Sequence, residues 1–165
     1  HWYVRGGNVG NLVLDLREGE KITADESSRW LAKPGDILMT RAGTVGRVAL
    51  VQEDSPPIIP GSNVITIRVY DKNRISPEFL LAHLASKQGQ AQISMFTRGS
   101  TIPAISISGL RQLRIPIPPK EQQVKVASQV KKIMVVRREA DQVREEFKLK
   151  EEKLLRELED FLTEG

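Results

Sequence analysis

The sequence predicts a mixed α+β globular domain followed by one long coiled-coil α-helix. Two distributions carry that expectation. All nine prolines lie at or before Pro119, and the only later glycine is the terminal Gly165. Charge is just as uneven: residues 61–119 hold seven basic and two acidic side chains (net +5), whereas residues 120–165 hold eleven of each. A third observation is periodic. From Val126 onward an apolar residue recurs every seven positions, the repeat of a helix that lays one seam against another. The domains are therefore drawn at 1–118 and 119–165.

In the first part, strand candidates alternate or run continuously apolar. Asn11–Leu16 is one. Asp36–Thr40 and Val45–Val51 read as a hairpin, with Arg41-Ala42-Gly43-Thr44 at its tip. Val64–Tyr70 alternates, with Ile65, Ile67 and Val69 on one face and Thr66, Arg68 and Tyr70 on the other. Ser76-Pro77-Glu78 opens a helix: serine caps it, proline takes the first helical position and an acid in the first turn suits the dipole. Phe79, Leu80, Leu84, Ala91 and Met95 share its expected buried face, and Gly89 is the expected point of breakage. A short helix follows Ser106 or Ser108 and carries Leu110 and Leu113. Arg114–Pro118 has prolines at alternate positions, which only an edge strand or polyproline segment accepts.

Residues 119–163 contain no internal glycine or proline, and Pro119 fits a first helical position. At about 1.5 Å per residue the helix spans about 65 Å. Val126, Ile133, Ala140, Phe147, Leu154 and Phe161 form one heptad column. The matching column, Val130, Arg137, Arg144, Glu151 and Leu158, is apolar at its ends and charged in the middle. The coiled-coil interface is accordingly placed on Val126, Val130, Ile133, Ala140, Phe147, Leu154, Leu158 and Phe161. The charged centre either specifies register or an antiparallel mate, or is solvated. The plainer reading is a helix packed wholly on its own domain.

Composition excludes much chemistry. The chain has 165 residues and a net charge of +4. It has no cysteine, so it has neither a disulfide nor a thiol nucleophile nor a Cys-ligated zinc. Its two histidines, His1 and His83, cannot build a His-rich metal site, and no metal ligand or cofactor is expected. No serine–histidine–acid arrangement is apparent; His83 reads as an ordinary helix residue. Gly6-Gly7-Asn8-Val9-Gly10 and Gly43-Thr44-Val45-Gly46 match neither a phosphate loop nor a dinucleotide fingerprint, and read as turns. The acid pairs Asp25-Glu26 and Glu53-Asp54 sit in polar, turn-like contexts. Ser55-Pro56-Pro57-Ile58 lacks the Asn or Asp and the aromatic of an adenine-methyltransferase tetrapeptide. No apolar run is long enough to span a membrane.

What remains points to nucleic acid. Phosphates are held by basic, hydroxyl and backbone N–H groups, and base edges are read by Arg, Asn, Gln and Thr. Three segments supply such groups: Arg5 to Asn8, the tip Arg41 to Thr44 with Arg47, and Thr97-Arg98-Gly99-Ser100-Thr101. The candidate DNA contacts are Arg5, Asn8, Arg41, Thr44, Arg47, Arg98, Ser100 and Thr101, with Gly43, Gly46 and Gly99 shaping the loops.

Four segments also carry a resemblance. Gly35-Asp36-Ile37-Leu38-Met39-Thr40-Arg41-Ala42-Gly43-Thr44-Val45-Gly46-Arg47 is similar to the GDIL-x-x-R-x-GT-x-G segment of target recognition domains in specificity (S) subunits of type I restriction–modification systems. Ser76-Pro77-Glu78-Phe79-Leu80 resembles that family's SPEYL helix. Arg98 to Ser106 resembles its GST-x-P-x-IS loop, and Ile115 to Gln123 its IPLPP-x-x-EQ junction into the spacer helix. The four occur in the family's order over roughly residues 4 to 135. The resemblance implies a non-catalytic module that reads one half of a bipartite double-stranded DNA target, beside a spacer helix that sets the distance between half-sites. It implies docking to a methyltransferase (M) subunit and, through it, to the restriction subunit, in the cytoplasm. It further implies half an S subunit, lacking the amino-terminal part of the recognition domain; the opening at His1, with no Met or leader, also reads as a fragment. Self-association through the long helix is expected. The alternatives are a coiled-coil assembly module that binds protein and not DNA, and the recognition tail of a fused restriction–methylation enzyme.

Overall fold

A computed structural model describes residues 1–17, 19–23 and 29–163; the Asp25-Glu26 pair lies outside them. The chain divides into two compact units, His1–Lys131 and Lys132–Gly165. The first unit thus closes inside the long helix, past the point where proline and glycine end.

Two three-stranded sheets build the first unit. In one, β1 (Trp2–Val4) lies between β2 (Glu20–Lys21), antiparallel to it, and β5 (Ile58–Pro60), parallel to it. In the other, β3 (Ile37–Thr40) lies between β4 (Val48–Leu50) and β6 (Val64–Ile67), antiparallel to both. All four β3 residues are buried, which is why Ile37-Leu38-Met39 reads as a continuous apolar run rather than an alternating one. One core joins the sheets: Val4 and Ile58 meet Leu38, Ala49, Val51 and Val64, with Trp2, Leu14 and Leu16 at its margin.

The expected hairpin is present, with Ile37 opposite Leu50 and Met39 opposite Val48. Its loop is longer than the four-residue tip expected, because the return strand starts only at Val48. The expected strand at Asn11–Leu16 is not one. Leu12 and Leu14 make isolated bridges, and Leu12 takes φ of 75°, a left-handed conformation costly for a residue with a Cβ. Two backbone bonds hold it there: its N–H donates to Val48 O at 2.8 Å and its carbonyl accepts from Leu50 N–H at 3.1 Å. The expected Val64–Tyr70 strand ends at Ile67.

Helix α1 (Pro77–Ala85) starts as its sequence predicts, with Ser76 Oγ accepting from Phe79 N–H. The break comes at Ser86, not Gly89. Ser86 has extended backbone and caps α2 (Lys87–Phe96), its Oγ accepting from Gly89 N–H at 3.1 Å. Gly89 lies inside α2 because the helices cross too closely there for a side chain: a Cβ would stand 2.1 Å from His83 O. The break also rephases the buried face. Phe79, Leu80 and Leu84 are buried as expected, but Ala91 and Met95 are exposed and Ile93 takes the inner position.

A two-stranded ribbon, β7 (Thr97–Arg98) and β8 (Ala104–Ile105), precedes the short helix α3 (Ile107–Leu110), which Ser106 caps. The proline-rich segment 114–118 belongs to no strand; the Gln92 side chain instead satisfies both backbone groups of Arg114, at 2.7 and 3.1 Å. Helix α4 runs Lys120–Thr163. Pro119 sits just outside it, its carbonyl accepting from Gln122 and Gln123 N–H.

Gln123 fastens the start of α4. It is 2% exposed. Its Oε1 accepts from Ser76 N–H at 2.9 Å, and its Nε2 donates to Arg74 O at 3.0 Å and Pro118 O at 2.9 Å. Lys131 adds an ion pair with Glu78 at 3.4 Å. Val130 is buried and Val126 half-buried. These two residues, placed in the sequence on a seam for a partner helix, are therefore covered inside the first unit. In the second unit Ile133, Ala140, Phe147, Leu154, Leu158 and Phe161 are all exposed.

Candidate nucleic-acid interface

The loop between β3 and β4 is built around Thr40. Its buried hydroxyl donates to Thr44 O at 2.5 Å and accepts from Arg47 N–H at 3.0 Å, and Gly46 N–H donates to Thr40 O at 2.9 Å. Gly43 and Gly46 have φ of 76° and 89°, the region where a side chain strains the backbone. The turn leaves Thr44 and Arg47 exposed. On α2, Gln90 holds the loop from behind, its Nε2 donating to Gly46 O and Leu84 O, each at 2.8 Å.

The loop is zipped to the β7–β8 ribbon. Gly43 N–H donates to Pro103 O and Ile105 N–H to Arg41 O, both at 2.9 Å, and Ala42 bridges Ala104. The ribbon's own turn needs Gly99 at φ of 104°, since a Cβ there would meet Ile102 O at 2.6 Å. Two segments about fifty residues apart in sequence are thereby one surface, presenting Thr44, Arg47, Arg98, Ser100 and Thr101 to solvent. Arg98 is partly occupied: its Nη1 donates to Met95 O at 2.6 Å and Thr97 O at 3.0 Å, a cation over the carbonyl end of α2.

The first candidate segment is different. Asn8 Oδ1 accepts from Arg5 N–H at 2.9 Å and its Nδ2 donates to Asp15 O at 3.0 Å, so the amide closes the single 3-10 turn Gly6–Asn8. Arg5 pairs with Glu20 and lies over the Tyr3 ring. The turn nonetheless lies against the loop, a Cβ on Gly6 falling 3.5 Å from Thr40 Cγ2.

Beside the loop is a cleft of about 490 Å³ lined by Arg29, Arg41 and Arg68, with Trp30 and Tyr70 among its walls. One of its lining residues, Arg68, is braced by an aspartate-centred turn. Lys33-Pro34-Gly35-Asp36 is a type II turn, with Gly35 at φ of 88° and Asp36 N–H donating to Lys33 O. Asp36 is 1% exposed, and Arg68 Nε and Nη2 donate to its carboxylate at 2.7 and 2.6 Å. That hydrogen bond raises the Arg68 pKa above its ordinary value, against the opposing effect of desolvation. Arg41 Nε is buried with no acceptor among the described residues.

The motifs mark the β3–β4 loop, the segment 98–106 and their glycines, but not the pairing of that segment into a ribbon. They also miss Gln90, Gln123 and the cleft. Gln123 lies in the quoted EQ junction, and an amide there is a signal that a buried donor and acceptor are both wanted. Among the described residues no group of His, Asp and Glu could hold a metal ion, and no helix is long and apolar enough to cross a membrane.

Comparison with known proteins gives one consistent result. A family model for the type I restriction modification DNA specificity domain matches residues 3–138. A curated relative, the putative type I restriction enzyme MjaX specificity subunit of Methanocaldococcus jannaschii, is 29% identical over 119 residues, 70% of this chain and 28% of the relative. The chain thus spans under a third of that relative's length. Among solved structures, the HsdS subunit from Thermoanaerobacter tengcongensis has a similar fold over 88% of this chain and 38% of its own, with a TM-score of 0.58 and 24% identity. The type I restriction–modification S subunit from M. genitalium is similar over 61% of this chain and 26% of its own (TM-score 0.52, 24% identity).

Proposed function

The chain belongs to the type I restriction modification DNA specificity domain family, and on that premise we propose that its first unit binds double-stranded DNA by sequence and reads one half of a bipartite target. The observation that supports this reading best is the joining of the β3–β4 loop to the β7–β8 ribbon, which brings Thr44, Arg47, Arg98, Ser100 and Thr101 to one exposed surface with half-buried Arg41 at the junction. Arginines and hydroxyls on a preset backbone are what phosphate positioning and base reading require. Arg5 and Asn8 support that surface from the neighbouring turn.

In this reading the chain performs no catalysis. It docks a methyltransferase subunit, which brings the restriction subunit, and it works in the cytoplasm where the DNA is. The exposed column from Ile133 to Phe161 pairs with a second helix; in this chain by itself, that helix is another copy's. Finding only monomer by light scattering at high concentration overturns the pairing.

The deciding experiment is selection from a randomised duplex pool by the chain, alone and with a methyltransferase subunit, across a salt series. Enrichment of a short half-site, with affinity falling as salt rises, is the expected result. Retention without enrichment overturns sequence reading, and no retention in either condition favours the protein-binding coil.

A further inference from the structure

The cleft beside the β3–β4 loop contains more than shape. Two of the five N–H donors of Arg68 are spent on buried Asp36, which fixes the guanidinium in one orientation and leaves its other donors unspent on a residue that lines the cleft. A planar guanidinium held this way is suited to receive two acceptor oxygens at once. Arg41 lines the same cleft and has a buried Nε–H with no acceptor among the described residues. Two aromatics stand at the opening. Tyr70 is 89% exposed and Trp30 64% exposed. Arg29 lies over the Trp30 ring at 4.7 Å, adding positive charge beside it. The volume, about 490 Å³, accommodates one nucleotide unit and not a duplex.

The geometry points to a nucleotide seat: the cleft takes one phosphodiester-linked nucleotide of a DNA strand, with its base or sugar against Tyr70 and Trp30 and the phosphates on its two sides on Arg68 and Arg41, which line the cleft from opposite ends of the β3–β6 pair. This rests on the DNA reading above and gives it a second contact region, reached through Arg41, which belongs to both the cleft and the loop. The seat grips without naming a base, because a phosphate is the same for every nucleotide and an aromatic face accepts any of them.

The test uses the full chain and a randomised duplex pool in which some thymines are replaced by 5-iododeoxyuridine, a base that cross-links to nearby aromatic rings under light. Cross-linked peptides containing Tyr70 or Trp30 are the expected result. A companion pool with one unpaired nucleotide separates two sources of the same ligand: stronger cross-linking there means an extrahelical nucleotide is seated, and equal cross-linking means a strand of intact duplex. Y70A, at an exposed site that does not endanger folding, should weaken pool binding about tenfold, in line with loss of one stacked base. R41Q should lower the slope of log affinity against log salt by about one, as loss of one phosphate contact does. If the wild-type chain binds the pool while cross-links fall only in the β3–β4 loop or the β7–β8 ribbon and Y70A binds as tightly, the seat is wrong and the DNA reading stands. If the wild-type chain retains no DNA, both fall.

Discussion

In the first unit Ile37, Leu38, Met39 and Ile58 are wholly enclosed, whereas in the second Phe147, Leu154 and Phe161 keep 68, 65 and 78% of their surface in solvent. Burying such a side chain is worth about 1.5–3 kcal/mol. One unit has collected that stabilisation already; the other has left those side chains in solvent. The polar groups divide the same way. In the first unit they form internal locks, such as Gln123 on three backbone groups and Arg68 on Asp36. In the second they are exposed pairs such as Lys153 with Glu157 and Arg156 with Glu152, and each of these contributes only about 0.3–0.5 kcal/mol. Stability in the first unit should therefore respond to single substitutions, and in the second to association.

That contrast can be broken most severely at Gln123. Q123A leaves the Ser76 N–H and the Arg74 and Pro118 carbonyls without their partner, and should destabilise the first unit by about 3 kcal/mol, read as a lowered midpoint in urea denaturation. Next is G46A. Its φ of 89° and the Gln90 amide 2.9 Å from a built Cβ make the loop strained, at a cost of about 1–2 kcal/mol; DNA retention should fall more than the melting temperature suggests, because the loop and ribbon share their hydrogen bonds. The double substitution F147S/L154S should leave the unfolding of the first unit unchanged while abolishing concentration-dependent self-association in sedimentation velocity. The smallest effect belongs to K153A, expected to change stability by less than about 0.5 kcal/mol; a larger shift would mean that the second unit's charges are also locks.

The parts of this arrangement visible in the sequence are those fixed locally. Ser76 before Pro77 states a helix start in three residues. Gly43 and Gly46 announce a loop needing positive φ. The heptad column needs only counting. What was hidden depends on partners far along the chain. Gly89 reads as a breaker because glycine weakens helices, yet its place is set by how close α1 and α2 come, a distance no local pattern encodes. Ser86 ends α1 by capping α2, and that break moves Ala91 and Met95 outward and Ile93 inward. Val126 and Val130 obey the heptad rule as well as Phe147 does, and only tertiary packing tells a covered valine from an available phenylalanine. The cleft escaped for the same reason: Asp36 and Arg68 come together across β3 and β6 while Arg41 lines the cleft from the other end of β3, and in the linear sequence Arg68 is one basic residue in a basic stretch.

Every group that Gln123 grips belongs to the main chain: one N–H and two carbonyls. A fastening of that kind takes no account of which side chains decorate the body it holds. It behaves like a standard thread on a tool holder: surface side chains can change while the start of α4 stays seated, provided the backbone from Arg74 to Ser76 and at Pro118 keeps its course.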